Sequence, residues 1–380
     1  MAQLLAAGMV GHPGATLEDS VARLFEPESA APLCELAGFS EPIAIRYRAV
    51  EGGPQEARAR LHWLLDQAMG QLFEQHPLAA SERRSVPVFI GSSCYGIAIA
   101  ESRYRTQYAS SPATAVPLPL QGFHQIHHHL RDSYGLLGPD FAIHTACTST
   151  ANALLNARAA IHAGMGDYAL VIGLESFNAT TLSGFQAMQL VSPDAMRPFD
   201  RGRNGLILGE GCGALLLGRG QGPLSLVGGA TCCDSYSIST ANPDGSSIAR
   251  VMAAALDSAR IAREEVVAIK AHGTATPLND NSEAAGMRGL FGTPPPFFSL
   301  KAHTGHTLGS CGVMETALTA ACLARGSLPA SGGLREPDPG LAVTPLRRNL
   351  PAPAGYYLLN FFGFGGNNAS LVLRYQGAGG

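Results

Sequence analysis

The sequence predicts an α/β protein built of stacked layers. Short apolar runs alternate with helical stretches along the whole chain. Several runs, VPVFIG and YALVIG among them, are continuously apolar, the pattern of strands buried on both faces. The chain has 380 residues. That is enough for roughly two to three ordinary domains or one large duplicated fold, with a core that needs no staples.

Strands are expected over Gln3–Gly8, Ser85–Gly91, Asp140–His144, Tyr168–Gly173 and Cys212–Leu217. A second set follows over Pro223–Gly229, Val266–Ala271, Phe297–Leu300, Tyr357–Phe361 and Ser370–Tyr375. Helical spacing marks Pro54–Glu74, Thr148–Ala163, Ser246–Arg260, Asn281–Gly289 and Cys311–Ala324. Both Met1–Gly8 and Pro223–Gly229 are apolar strands running into glycines, which suggests two similar halves. The turn cluster GRGQGP at Gly218–Pro223 places their boundary, giving residues 1–220 and 221–380.

Composition narrows the function. A net charge of −3 excludes a broad nucleic-acid surface. No apolar run reaches the ~18 residues needed to span a bilayer, so no membrane role is expected. The N-terminal MAQLLAAGMVGHPG lacks a basic region and reads as a buried first strand, not a signal peptide. Eight cysteines without a C-x-x-C pair suit neither zinc nor a disulfide framework, and point to a reducing cytoplasm. Of 26 basic residues only Lys270 and Lys301 are lysine. Lysine kept in such a background suggests a site that needs a compact ammonium.

Four segments carry chemistry. In FAIHTACTSTAN, Cys147 sits where a strand turns into a helix, and the N–H groups there favour a thiolate and can hold an oxyanion. The plainer alternative is an inert buried thiol. In KAHGTATPLNDNSE, His272 ends a strand before a Gly-rich loop. From there it can donate to a substrate carbonyl or help eject CO₂, unless it is an ordinary loop histidine. Thr274 and Thr276 offer hydroxyls to an extended polar arm. In SLKAHTGHTLGSCGVME, Lys301 and Glu315 could pair beside His303 or His306 and fix ring orientation and charge, or the stretch is only a turn. In NFFGFGGNN the glycines permit close backbone approach. The segment does not match G-x-G-x-x-G, and a strand follows it, so it is not a dinucleotide loop. The run His127–His129 reads as structural, since sequence neighbours rarely converge on one metal. RPFDRGRNGLILGE (Arg197–Glu210) reads as a loop packed near the site, and Cys232–Cys233 cannot form a simple bridge.

Together and in this order, the segments TACTS, HGTATPLND..E, K....H with a downstream G..E, RPFD..R.G…GEG.G and F.GFGG.N resemble the β-ketoacyl-acyl-carrier-protein synthases, the condensing enzymes of fatty-acid and polyketide assembly. The resemblance spans about Leu4 to Tyr375. It implies the thiolase fold: duplicated βαβαβαββ halves in a five-layer α-β-α-β-α sandwich, usually dimeric. Two histidines with a lysine fit the elongating, Cys-His-His branch.

The resemblance also implies residue roles. Cys147 would accept the acyl group. His272 and His306 would drive CO₂ loss from malonyl-carrier protein and hold the enolate. Lys301, paired with Glu315, would support His306. The N–H groups of Cys147 and Phe364 would form the oxyanion hole, and Phe364 would act as a gate. Thr274 and Thr276 would bind pantetheine, while Asp280 and Glu283 would be structural supports. No metal or dissociable cofactor is implied, because substrates ride on the phosphopantetheine of an acyl carrier protein. The expected partners are that carrier protein and either a second copy or a ketosynthase-like partner subunit.

His144 stands where a small or hydroxyl residue is usual and is expected to alter the cavity. Arg46, Arg48, Arg58 and Arg60 are candidates for the carrier-protein patch, or an ordinary solvated face. These departures suggest a specialised type II polyketide or aryl-polyene enzyme. The competing readings are a non-catalytic chain-length-factor-like subunit, against which the intact Cys147 argues, and a degradative thiolase. The thiolase needs a late C-x-G cysteine that the chain lacks.

Overall fold

The computed structural model describes residues 1–36, 42–115 and 123–377. Its main sheet contains ten strands, one for each run expected from sequence. These are β1 (Ala2–Gly11), β2 (Val88–Gly91), β3 (Asp140–Ile143), β4 (Tyr168–Glu175), β5 (Gly211–Arg219), β6 (Leu224–Cys233), β7 (Val266–Lys270), β8 (Phe297–Phe298), β9 (Gly355–Phe362) and β10 (Asn367–Tyr375). The five expected helices are α1 (Ala57–Gln75), α2 (Ser149–His162), α3 (Ser246–Ala259), α4 (Pro277–Phe291) and α5 (Cys311–Ala324). Helix α4 starts earlier than expected because Pro277 sits in its first turn, where proline's missing N–H and fixed φ do no harm.

The strand order is β8-β7-β9-β10-β6-β1-β5-β4-β2-β3. Within β1–β5, and again within β6–β10, the third, second, fourth, fifth and first strands in chain order lie side by side. The directions repeat as well. In each set the first and fifth strands, and the fourth and fifth, are antiparallel. The second strand runs parallel to both the third and the fourth. The sets join through two residue pairs, Ala2↔Leu226 and Gln3↔Ser225.

Side-chain alternation builds the layers. Along β4, Ala169 and Val171 pack into a central core with α2 and α5. Leu170, Ile172 and Leu174 face the opposite way, into a core with α1. On the other half, Ile269 and Leu358 pack against α3 and α4 in a third core, while Ala268, Tyr357 and Leu359 face the centre. Helix α5 is buried on nearly every face, so its sequence is apolar all round. Gly312 lets it approach α2 closely, since a Cβ there would lie 2.3 Å from the Ala151 nitrogen.

The sequence reading did not anticipate a small sheet of Leu33–Leu36, Ile43–Arg48 and Leu208–Gly209. It also missed the helices Leu17–Arg23, Ile97–Ser110, Phe123–Tyr134 and Ala179–Ala187. The three adjacent histidines fall on Phe123–Tyr134 and reach separate partners. His127 meets Asp140 at 2.9 Å and His129 meets Asp66 at 2.7 Å. His128 accepts from Arg131. Among the described residues, no three His, Cys, Asp or Glu form a metal-holding group.

Candidate active site

Cys147 lies in the tight link from β3 to α2. Ala146, just before it, holds φ +51°, a left-handed conformation that costs an alanine energy and persists only where neighbours enforce it. The enforcing bonds are local. Ser149 N–H and its hydroxyl both donate to the Ala146 carbonyl, and the Thr148 hydroxyl donates to the Thr145 carbonyl. The sulfur is thereby set 3.1 Å from His306 Nε2, with the N–H groups of Phe364 and Cys147 aimed at it. These groups favour a thiolate, but burial outweighs them and pushes the thiol up to about 12. This corrects the expectation of a thiolate stabilised at rest by the helix start. The site is dry enough that the thiol keeps its proton.

His272 sits two residues past the end of β7. Two carboxylates of α4 hold its loop. Glu283 accepts from the N–H groups of His272 and Gly273, at 2.8 and 2.9 Å. Asp280 accepts from those of Ala275 and Phe199. Glu283 and Asp280 therefore support the backbone, as the sequence suggested. His306 follows a short turn after β8. Its N–H donates to the Ile207 carbonyl and its carbonyl accepts from Gly209, so the Arg197–Glu210 segment does pack on the site.

The rings of His272 and His306 meet edge to face, 5.4 Å between centroids. Burial, reinforced by the Lys301 ammonium, holds both well below the ordinary imidazole value, so both are neutral. Lys301 Nζ lies 3.3 Å from His272 Nδ1 and 2.6 Å from Glu315 Oε1. The expected Lys301–Glu315 pair is present, but Lys301 contacts His272, not His306. An ammonium can only donate, so Nδ1 of His272 accepts and its proton sits on Nε2. Burial opposes the charge on Lys301, and Glu315 overrides it, holding the ammonium above its usual value.

A pocket of about 340 Å³ opens over these groups, lined by Cys147, His272, His306, Thr274, Thr276 and Phe364, among others. The two threonine hydroxyls lie 3.0 Å apart. Phe364 is half-buried and stacks on Phe185 at 5.5 Å. It is flanked by Gly363 and Gly365, the latter at φ +73°.

Three readings need correction or addition. The arginine patch is largely spent internally. Arg46 donates to the Ala31 and Pro193 carbonyls, Arg48 is buried against Ser29, and Arg60 pairs with Glu210. Only Arg58 of the four is exposed. His144 donates to the Ser93 carbonyl and does not line the pocket. Sequence reasoning gave no role to Glu175, which ties the Ser93, Cys94 and Gly309 N–H groups together beneath the site, its carboxyl pushed up by burial to about 7.

Comparison with known proteins places the chain in a family. The β-ketoacyl synthase N-terminal domain matches residues 50–222, and the C-terminal domain matches residues 225–335. The chain belongs to the β-ketoacyl synthase family. It is 30% identical to 3-oxoacyl-[acyl-carrier-protein] synthase 2 of Vibrio cholerae, over 80% of each chain. It is 29% identical to the enzyme of that name from Staphylococcus aureus, over 76% of this chain and 77% of the other. A chain of the ketosynthase–chain length factor complex from Xenorhabdus doucetiae superposes with a TM-score of 0.85 at 27% identity, covering 98% of both chains. A β-ketoacyl synthase from Burkholderia phymatum gives 0.84 at 25% identity, over 98% of this chain and 99% of that one. The family's thiolase fold is the layered, duplicated arrangement described above.

Proposed function

We propose that this ketosynthase joins an acyl group on Cys147 to a malonyl unit carried by an acyl carrier protein. The observation that carries the reading is the 3.1 Å contact of Cys147 with His306 inside a pocket that also holds neutral His272. As the Cys147 sulfur attacks an acyl thioester, its proton passes to His306 Nε2. The S–C bond to pantetheine breaks, and the freed thiol leaves with a proton. A malonyl thioester then enters along Thr274 and Thr276. Its C–C bond to the carboxylate breaks, CO₂ departs, and the electron pair forms an enolate that takes hydrogen bonds from Nε2 of His272 and of His306. Among the described residues the buried Nδ1 of His306 meets no hydrogen-bond partner, so this ring can carry its proton on either nitrogen. The carbanion attacks the acyl carbonyl. The N–H groups of Cys147 and Phe364 hold the resulting oxyanion until the Cys147 thiolate is expelled, leaving a 3-oxoacyl thioester. A proton from solvent then restores the Cys147 thiol, and side chains, backbone and the carried substrates supply everything else.

The chain works as a dimer, with a second copy or a ketosynthase-like partner, in a type II polyketide or polyene pathway. The resemblance to a ketosynthase–chain length factor complex supports this, and the outer edge of β3, unpaired among the described residues, offers the surface. Eight free thiols suit the cytoplasm.

Intact-protein mass spectrometry tests the assignment. Wild type should gain an acyl mass from one or more carrier-protein thioesters, and Cys147→Ala should gain none. Acylation of both would remove Cys147 from its role. Acylation of neither, with every donor, would favour a subunit that shapes a partner's cavity.

A further inference from the structure

We infer that Lys270 is a positioning residue for the condensation. Its buried ammonium shares Glu315 with Lys301, which keeps Lys301 against His272 and leaves a net positive charge behind both histidines.

The argument begins with the rarity of lysine. The chain's only two lysines are both wholly buried and converge on one carboxylate, whose Oε2 lies 2.5 Å from Lys270 Nζ and whose Oε1 lies 2.6 Å from Lys301 Nζ. Lys270 Nζ also donates to the Asn360 carbonyl at 2.6 Å and lies 3.7 Å from the centre of the Phe361 ring. Three donor directions meet a carboxylate, a carbonyl and a π face, an environment built for an ammonium. A planar guanidinium would not fit it.

Sharing has two consequences. With each carboxylate oxygen held by a different lysine, Glu315 cannot turn both oxygens onto Lys301 and draw it away from His272 Nδ1. One carboxylate between two ammoniums also leaves one positive charge uncancelled. The other ionisable groups facing Lys270 are Cys311 from α5, Glu283 from α4, and His272 and His306. Glu283 is engaged by two backbone N–H groups, and burial pushes its carboxyl up to about 7. Where Glu283 keeps its proton, below about 7, the surplus charge therefore acts on the imidazoles in full. It keeps them neutral and able to donate, and it favours the negative charge that develops when CO₂ leaves. Burial lowers Lys270 itself to about 8, so this ammonium loses its proton within an accessible range.

The inference rests on the condensing reading, and the experiment separates the two. Acylation of Cys147 is followed by mass, and CO₂ release is followed from a malonyl-carrier-protein thioester. Lys270→Met should acylate at close to the wild-type rate, while its CO₂ release falls about 10- to 100-fold, the usual cost of losing a group that orients a reacting one. Wild-type CO₂ release should fall as pH rises through about 8, and the variant should lack that limb. CO₂ release within twofold of wild type, or a parallel fall in both half-reactions in a folded variant, would overturn the assignment. If Lys270→Met does not fold, the wild-type profile decides: release unchanged from pH 7 to about 9.5 also overturns it. A wild type that neither acylates nor releases CO₂ would sink the condensing reading and this inference with it.

Discussion

Cys147 and His306 face each other as thiol and neutral imidazole, not as an ion pair, because burial penalises both charges. In the proposed reaction, proton transfer then accompanies carbon–sulfur bond formation instead of preceding it. His272 has a different duty. Pinned by Lys301 at Nδ1, it can only donate from Nε2, which suits an enolate and does nothing for the thiol. His272→Ala should therefore still take an acyl group on Cys147 but lose about 10²- to 10⁴-fold in CO₂ release, the range of a lost acid–base group. Equal loss in both half-reactions would assign His272 to the nucleophile instead. Residue identity and the Lys301–Glu315 pair were legible in the sequence here, and the ring that Lys301 meets was not. Lys301 and the two histidines stand out as motifs, yet which ring the ammonium touches depends on how β7 and the turn after β8 sit side by side. The arginines failed for the related reason that charge in a sequence does not reveal burial. Arg48 is 3% exposed.

At the scale of elements, α4 acts as a clamp. Glu283 and Asp280 lie one turn apart on it and fix the loop between β7 and α4 by its backbone. The clamp carries a pH signature. Burial raises the Glu283 carboxyl to about 7, above the ordinary 4.5, so the folded state binds this proton more tightly than the unfolded state. The stability tied to that proton is complete below about 4.5 and is lost as pH rises through about 7. Glu283→Gln cannot titrate. Its stability relative to wild type, from urea unfolding at pH 5.5 and 8, should improve at the higher pH, and a difference that stays constant or moves the other way would refute the assignment. Strands such as β2, β4 and β5 were readable because strands buried on both faces are apolar throughout. Ile43–Arg48 was not, because it is a half-buried strand of a small separate sheet, held between Leu33–Leu36 and Leu208–Gly209 far along the chain. Helix Phe123–Tyr134 did carry a signal, with buried Ile126 and Leu130 at helical spacing, but its three adjacent histidines were weighed only as metal ligands or structural residues and not as part of a helix.

Across the whole molecule, the repeated strand order puts the two sources of chemistry at corresponding places. In each half, the third strand in chain order feeds a short link and then a central helix. One link carries Cys147, and the other carries Lys301 and His306. The outermost strand of the first half, β3, has an edge that no other described strand pairs, and Phe141 on it is 39% exposed. We expect the chain to sediment as an assembly larger than its 39.5 kDa monomer, and Phe141→Lys to weaken that assembly. A wild-type monomer with full condensing activity would refute this. Duplication was only hinted at in the sequence, since two halves can share a backbone path after their residues have diverged.

The close seating of α5 on α2 at Gly312 has a consequence for inheritance. The reacting groups hang from the two helices and strand ends that meet at the molecule's centre, where a single added carbon would collide with backbone. Much of the pocket's apolar wall comes from elsewhere, from Phe185, Met188, Leu190 and Leu278 on peripheral segments. Descendants of this chain can therefore exchange wall residues and accept new acyl groups while the reaction itself is passed on unchanged.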